Sequence, residues 1–277
     1  MQPNVKVVFA TPTLDCKVAY EYAGSMMQTI ALLARQGIES ANIFWPGLQF
    51  VDSARNFIIG KFLEEYPNAE YLFFVDDDIG FPAHKALEFL ARPEDIVAGV
   101  YPMKTEGPEY AAFLCLEADQ QTLHQRNGLH RATLVPFGFM RVRRRVIEAL
   151  ARKSETYTLP GAGGSLQICI NVVDRGNRDP VTGQKCGEFI GEDAWFCARA
   201  MAEGFEIWVD TDIEFDHRGA KRWHGSFSNH IAAVMNHMTA TGQLGRTMPV
   251  PPATFVEGEE ITAMPAQPIV EPAEAAQ

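Results

Sequence analysis

The chain has 277 residues, 47% hydrophobic and 21% charged, which is ordinary for a soluble globular protein and long enough for one large α/β domain. Its formal net charge of −11 argues against broad, nonspecific binding to nucleic acid, which rests on neutralising phosphates. No stretch reaches the ~20 apolar residues of a bilayer span, and five cysteines without a C-x-x-C pair argue for free thiols rather than a disulfide framework or a zinc site.

Val5–Ala10 reads as a first strand that breaks at Thr11-Pro12-Thr13. A helix over Ser25–Gln36 is expected next, with Ser25 and Gln28 as a capping box and Gly37 as its stop. Ile43–Trp45 reads as a second strand, and Asp52 or Ser53 is placed to cap a helix whose apolar face is Ala54, Phe57, Ile58, Phe62 and Leu63. Tyr71–Val75 is a third strand, Ala83–Leu90 a helix behind Pro82, and Ile96–Val100 a fourth strand. This alternation predicts a parallel sheet covered on both faces. Beyond Tyr101 the rhythm changes: strands at Ala111–Leu116 and Leu134–Val142, a helix over Arg144–Arg152, a long Gly-rich loop over 154–191 with one apolar run at Leu166–Ile170, a helix over Glu192–Ala202 and a strand over Phe205–Val209. Residues 249–277, with five Glu and six Pro, read as a disordered tail, and the remainder carries −6.

The most informative stretch is Tyr71–Asp78, an apolar strand ending in three consecutive carboxylates. Adjacent carboxylates repel one another, so a fold that gathers them at a strand end supplies a cation or leaves them solvated. Oxygen ligands suit Mg2+ or Mn2+, which commonly bind through one or two carboxylates plus substrate phosphates. Open parallel sheets bind ligands beyond the carboxyl ends of their strands, so Thr11-Pro12-Thr13, Asp76–Asp78 and Tyr101-Pro102 are expected to converge.

Five further segments carry both a chemical and a plain structural reading. Asp52–Asn56 opens a helix whose amides, with Arg55, suit phosphate or a nucleobase edge; an ordinary capped helix explains it too. Gly191-Glu192-Asp193 opens another helix and offers either a dipole-stabilised cap or a general base. His217 follows a strand, either as a metal ligand beside Asp76 or Asp78 or as an ordinary hydrogen-bonded histidine, with His224 and His230 as rivals. Gly138-Phe139-Met140 invites close backbone approach by a ligand or serves core packing. The basic run Arg141, Arg143, Arg144 and Arg145 reads as solvated helix charge or as a contact for a polyanionic acceptor such as DNA.

In this order, Ser53-Ala54-Arg55-Asn56, Tyr71–Phe81 with Asp76 and Asp78 as D-x-D, Gly191-Glu192-Asp193 and His217 resemble the GT-A glycosyltransferases, in particular the beta-galactosyltransferase branch. They are also similar to transferase-like proteins of bacteriophages and bacteria, which share the Tyr101-Pro102-Met103-Lys104 pattern. The resemblance spans about residues 5–220. It implies a GT-A domain over 1–248, with a nucleotide-sugar half to about 105 and an acceptor half from 106, in a cytoplasmic protein of a bacterium or a phage-infected cell.

It further implies a metal, Mn2+ or Mg2+, on Asp78 and His217, with Asp76 as a second ligand or a ribose contact. Thr11, Pro12, Thr13, Arg55, Asn56, Asp76, Asp77 and Lys104 would bind the nucleotide-diphosphate sugar. Asp193 would be the base and Glu192 a sugar contact, with inversion at the anomeric carbon. The Trp-Gly-rich acceptor loop of the galactosyltransferases is absent before Gly191, where Phe189-Ile190 stands instead, so a glycan, a lipid-linked sugar, a protein or a hydroxymethylated DNA base all remain as acceptor. Two other readings stay open: a nucleotidyltransferase or nucleotide-sugar pyrophosphorylase, although the loop after the first strand lacks glycine, and a noncatalytic nucleotide-sugar-binding module.

Overall fold

The structure, a computed structural model, describes residues 5–46, 50–107, 109–119, 121–160 and 166–240. The tail expectation at 249–277 lies outside the described residues. In the first half, β1 (Val7–Thr13), α1 (Tyr20–Arg35), β2 (Ser40–Pro46), α2 (Val51–Glu65), β3 (Tyr71–Val75), β4 (Ile79–Gly80), α3 (Ala83–Ala91) and β5 (Ile96–Gly99) alternate as the sequence predicts, except for the short β4, which the sequence did not announce. Then come β6 (Phe113–Leu114), β7 (Gln125–Arg126), β8 (Leu129–Leu134), β9 (Phe139–Arg143), α4 (Arg144–Ala151), β10 (Thr156–Pro160), β11 (Leu166–Ile170), β12 (Gly176–Arg178) and β13 (Lys185–Ile190). The described part closes with α5 (Glu192–Ala202), β14 (Ile207–Asp210), β15 (Phe215–Arg218), β16 (Arg222–Gly225) and α6 (Phe227–Ala240).

One mixed sheet organises the molecule, in the order β2-β1-β3-β9-β5-β14-β8-β6, with β7 paired to β8. The pairs β1–β2, β1–β3 and β5–β14 are parallel, while β9 runs antiparallel between β3 and β5. Because β8 is antiparallel to β14 and to both β6 and β7, seven strands, β2, β1, β3, β5, β14, β6 and β7, point the same way, and β9 and β8 run against them. This is a Rossmann-like α/β fold with a mainly parallel central sheet. Both faces are covered, which is why β3 is apolar at every position. Leu72 and Phe74 join a core with Phe57, Phe62, Ile147 and Phe196; Tyr71, Phe73 and Val75 join the opposite core with Tyr22, Met26, Phe89 and Trp208.

Several boundaries differ from expectation. α1 starts at Tyr20, and Ser25 lies inside it; the Ser25 hydroxyl accepts from the Phe81 amide at 2.8 Å instead of capping. α2 begins behind Phe50 without a side-chain cap, and Asp52 in its first turn pairs with Arg175 at 3.3 Å. The expected strand at Leu134–Val142 is two strands, because Pro136 offers no donor to a ladder and the chain crosses from β14 to the β3–β5 gap between them. The expected strand at Ala111–Leu116 shrinks to Phe113–Leu114. Residues 154–191 hold two antiparallel pairs, β10–β11 and β12–β13, rather than one loop.

The basic run is also corrected. Arg141 and Arg143 lie on β9, not on a helix. Arg141 is fully buried and donates to the carbonyls of Phe89, Glu94, Asp95 and Arg92. Arg143 donates to Glu94 and Arg92 carbonyls, and Arg144 to those of Ala69 and Tyr66. Arg145 forms a two-pronged pair with Asp95. Arg141, Arg143 and Arg144 thus hold carbonyls of the fold itself, whereas Arg145 stays exposed beside Asp95. Among the described residues no helix is long and apolar enough to cross a membrane.

Candidate active site

The carboxyl ends of β1, β3 and β5 share one edge, and the chain there carries Thr13, Asp76–Asp78 and Tyr101–Lys104. Because β9 is antiparallel, its preceding turn, Phe137-Gly138, lies at the same edge: the Asp76 amide donates to the Gly138 carbonyl at 3.1 Å. The start of α5 arrives there too, since the Phe137 amide donates to Asp193 Oδ1 at 3.1 Å. Arg55 ties these segments together. Its Nη2 donates to both oxygens of Asp76 at 3.1 and 3.3 Å, its Nη1 to Glu192 Oε1 at 3.0 Å, and Asp193 Oδ1 lies 3.9 Å from Nη1. The guanidinium stands 4.4 Å from the centre of the Phe137 ring, and its side chain is only 3% exposed.

One buried cation among three carboxylates sets the electrostatics. Burial opposes the charge on Arg55, but Asp76, Asp193 and Glu192 hold it protonated and raise its pKa. Burial pushes the Asp193 carboxyl up to about 7, and the like charges of Glu192 and Asp76 add to it against the opposing pull of Arg55. Tyr101 completes this group: its hydroxyl accepts from the Gly138 amide at 3.2 Å, and burial with the nearby Asp76 and Asp193 charges raises its pKa well above the usual value.

A second group lies beside the first. β15 pairs antiparallel with β4, placing His217 opposite Ile79, and the Arg218 amide donates to the Asp78 carbonyl at 2.9 Å. This register sets His217 Nε2 3.5 Å from Asp78 Oδ1, while Nδ1 lies 2.7 Å from the Pro102 carbonyl. A carbonyl only accepts, so Nδ1 carries the proton, and in the neutral ring Nε2 faces the carboxylate as a second acceptor. Two acceptors facing each other fit a shared cation, and a histidine that donates its other nitrogen to a backbone carbonyl is the usual arrangement of a metal ligand. Lys104 Nζ pairs with the other oxygen, Asp78 Oδ2. Burial pushes the Asp78 carboxyl up, but His217, when its ring carries both protons and Nε2 donates, and Lys104 outweigh it and hold it below the ordinary range.

The remaining expected site residues fall differently. Asp76 turns to Arg55 rather than to the Asp78–His217 pair, and among the described residues no three metal-binding side chains gather. Asp77 is raised to about 6 by burial, with the Asp78 and Asp76 charges adding and a Thr13 contact opposing; its carbonyl accepts from the Ala19 amide. Thr11, Pro12 and Thr13 continue β1 and are buried. The Thr11 hydroxyl lies 2.7 Å from the Tyr22 hydroxyl, and that of Thr13 donates to the Lys17 carbonyl at 3.0 Å.

Asn56 is buried and clasps the 171–173 segment, donating to the Val173 carbonyl at 2.6 Å and accepting from the Val173 amide at 2.8 Å. Arg55 likewise spends both terminal nitrogens on carboxylates instead of an open nucleotide pocket. His224 pairs with Asp216 at 2.7 Å, and His230 stacks against Tyr110 and Phe227, so neither competes with His217. The residues missed were Tyr101 as a side chain and Phe137 through its amide. Tyr101 carried a signal, its place at a strand end before proline; a backbone amide carries none.

No protein-family model matches the chain, and no characterised protein matches it significantly in sequence. Among solved structures it is similar to A197 from STIV, at 15% identity over 81% of this chain and 91% of that one, with a TM-score of 0.48. It is similar to a glycosyltransferase involved in the glycosylation of the major capsid of PBCV-1, at 12% identity over 52% and 63%, TM-score 0.31. It is also similar to the inositol-1-phosphate CTP transferase from T. maritima, at 11% identity over 79% and 91%, TM-score 0.37. Likenesses at this level leave the functional reading to rest on the site itself.

Proposed function

We propose that the chain is a metal-dependent glycosyltransferase of GT-A type that moves a sugar from a nucleotide diphosphate to an acceptor hydroxyl. The observation that carries this reading is the Arg55 bridge. It joins a carboxylate of the D-x-D segment, Asp76, to Glu192 and Asp193 more than a hundred residues later, so that a carboxyl raised to about 7 stands at the same strand edge as the Asp78–His217 pair. A general base near neutrality and a cation pair beside it are what nucleotide-sugar transfer needs.

Asp78 and His217 would hold Mn2+ or Mg2+, with the donor's phosphate oxygens completing the ligand set. When bound, the cation supplies charge neutralisation for the leaving diphosphate. Asp193, deprotonated, accepts the acceptor's hydroxyl proton while the oxygen bonds to the anomeric carbon. The bond from that carbon to the phosphate oxygen breaks, and the diphosphate takes the electron pair. Arg55 offsets the repulsion between Asp193 and Asp76, and the Phe137 amide fixes which oxygen of Asp193 faces the acceptor. Asp76, held by Arg55, would contact the ribose rather than the metal. Attack opposite the leaving group inverts the anomeric centre.

The test is release of nucleoside diphosphate from a panel of nucleotide sugars with and without Mn2+, using the full chain and Asp78→Ala. Mn2+-dependent release lost in the folded variant supports the reading. Cleavage that yields nucleoside monophosphate and sugar phosphate, or none from any donor at saturating Mn2+, overturns it. Proton NMR of the transferred sugar decides between inversion and retention.

A further inference from the structure

Lys104, which the resemblance makes a donor contact, is tied in the structure to the carboxylate of the Asp78–His217 pair. Its ammonium pairs with Asp78 Oδ2, on the far side of the carboxylate from His217. The lysine is positioned rather than loose. A Cβ at Gly219 would meet its Cδ at 3.1 Å and its Cε at 3.4 Å, so the missing side chain at 219 is what leaves room for the Lys104 stem against the β15–β16 turn. The same Cβ would meet Trp223 Cζ3 at 2.9 Å, and the Trp223 indole donates to the Thr105 carbonyl at 2.7 Å, tying that turn to the Lys104 segment. His217 is tied to the same segment through the Pro102 carbonyl. One short stretch, Pro102–Thr105, thus orients the histidine and carries the lysine that neutralises their shared carboxylate.

We propose that Lys104 is a built-in counter-ion of Asp78 that a divalent cation displaces, and that its freed ammonium then pairs with the diphosphate of the donor. A cation on the Asp78–His217 pair neutralises the carboxylate that holds Lys104 and repels the ammonium beside it. The diphosphate, arriving with the cation, is the nearest new anion. Metal-free protein would therefore keep the site closed by an internal charge, and donor and cation would bind with positive coupling. The inference rests on the cation reading above.

Lys104 is 37% exposed, so Lys104→Met, which keeps the apolar stem, is expected to fold, with thermal melting as the check. The probes are Mn2+ alone and then inorganic pyrophosphate at saturating Mn2+, both titrated calorimetrically into the full chain. Removing the competing charge is expected to tighten Mn2+ binding by roughly tenfold, and removing the phosphate partner to weaken pyrophosphate binding by a similar factor. The conservative Lys104→Arg should restore wild-type values for both. Unchanged or weaker Mn2+ binding in Lys104→Met, with Asp78→Ala abolishing it, overturns the counter-ion and leaves the metal reading standing. Tighter Mn2+ with unchanged pyrophosphate overturns the transfer of the ammonium to phosphate. No Mn2+ binding in the wild type or in any variant overturns this inference and the metal reading together.

Discussion

At the scale of single residues, the candidate site sets one buried cation among carboxylates of different strength. Arg55 is shared, Asp78 is held low by His217 and Lys104, and Asp193 is raised to about 7 by burial. A base must be deprotonated to accept a proton, so transfer is expected to rise with pH through about 7 and then level off. Asp193→Asn keeps the contact with the Phe137 amide but not the basicity; donor binding should survive while turnover falls by ~10²–10⁴-fold and that limb of the pH profile disappears. A folded Asp193→Asn enzyme with near-normal turnover removes Asp193 from the role. The same carboxyl affects stability with a definite sign. Its folded pKa lies above the ordinary 3.8, so between about 4 and 7 the native state binds more protons than the unfolded chain, and this contribution to stability is lost as pH rises through that window. The Asn variant should show a flatter stability profile there in urea titrations.

At the scale of elements, β9 decides the most. It runs against its neighbours, so it turns the Phe137-Gly138 corner into the functional edge and sends Arg141 to the opposite one. Arg141 serves four carbonyls around the end of α3, and Arg141→Met would leave them without that partner. A loss of about 3 kcal/mol is expected by chemical denaturation, since hydrogen bonds from charged groups contribute ~1.5–3 kcal/mol and buried orphan acceptors add to the cost. A change under about 0.5 kcal/mol would mean the carbonyls find water instead. The sequence announced a basic run here but not its purpose, because a strand and a helix start place successive arginines on different faces. It announced the helices at α2, α3, α4 and α5 and the strand β3 well, since their apolar patterns match the burial that results. α1 was misplaced at its start because Ser25 fits a cap by composition, while packing against Phe81 claimed its hydroxyl.

At the scale of the molecule, Arg141, Arg143 and Arg144 are spent on carbonyls of the fold, which leaves Arg145, paired with Asp95, as the exposed member of the expected basic run in an acidic protein. Fluorescence anisotropy with a labelled 20-base-pair duplex at ~150 mM salt is expected to show no binding at micromolar protein. Saturable binding that weakens steeply with salt would restore the DNA acceptor reading. What the sequence determined by itself was local: the alternating elements of the first half, the carboxylates at the end of β3, and the acidic start of α5, each a pattern of neighbours along the chain. The pairing of these parts was decided only in three dimensions. Phe137 meeting Asp193 depends on β9, an antiparallel strand inserted between parallel ones, Arg55 meeting Glu192 on the starts of α2 and α5 coming together, and His217 meeting Asp78 on the β4–β15 register of a separate small sheet. Periodicity along the chain records which face of an element is buried; it holds no trace of which distant element covers that face, and the electrostatics of the site follow from that choice.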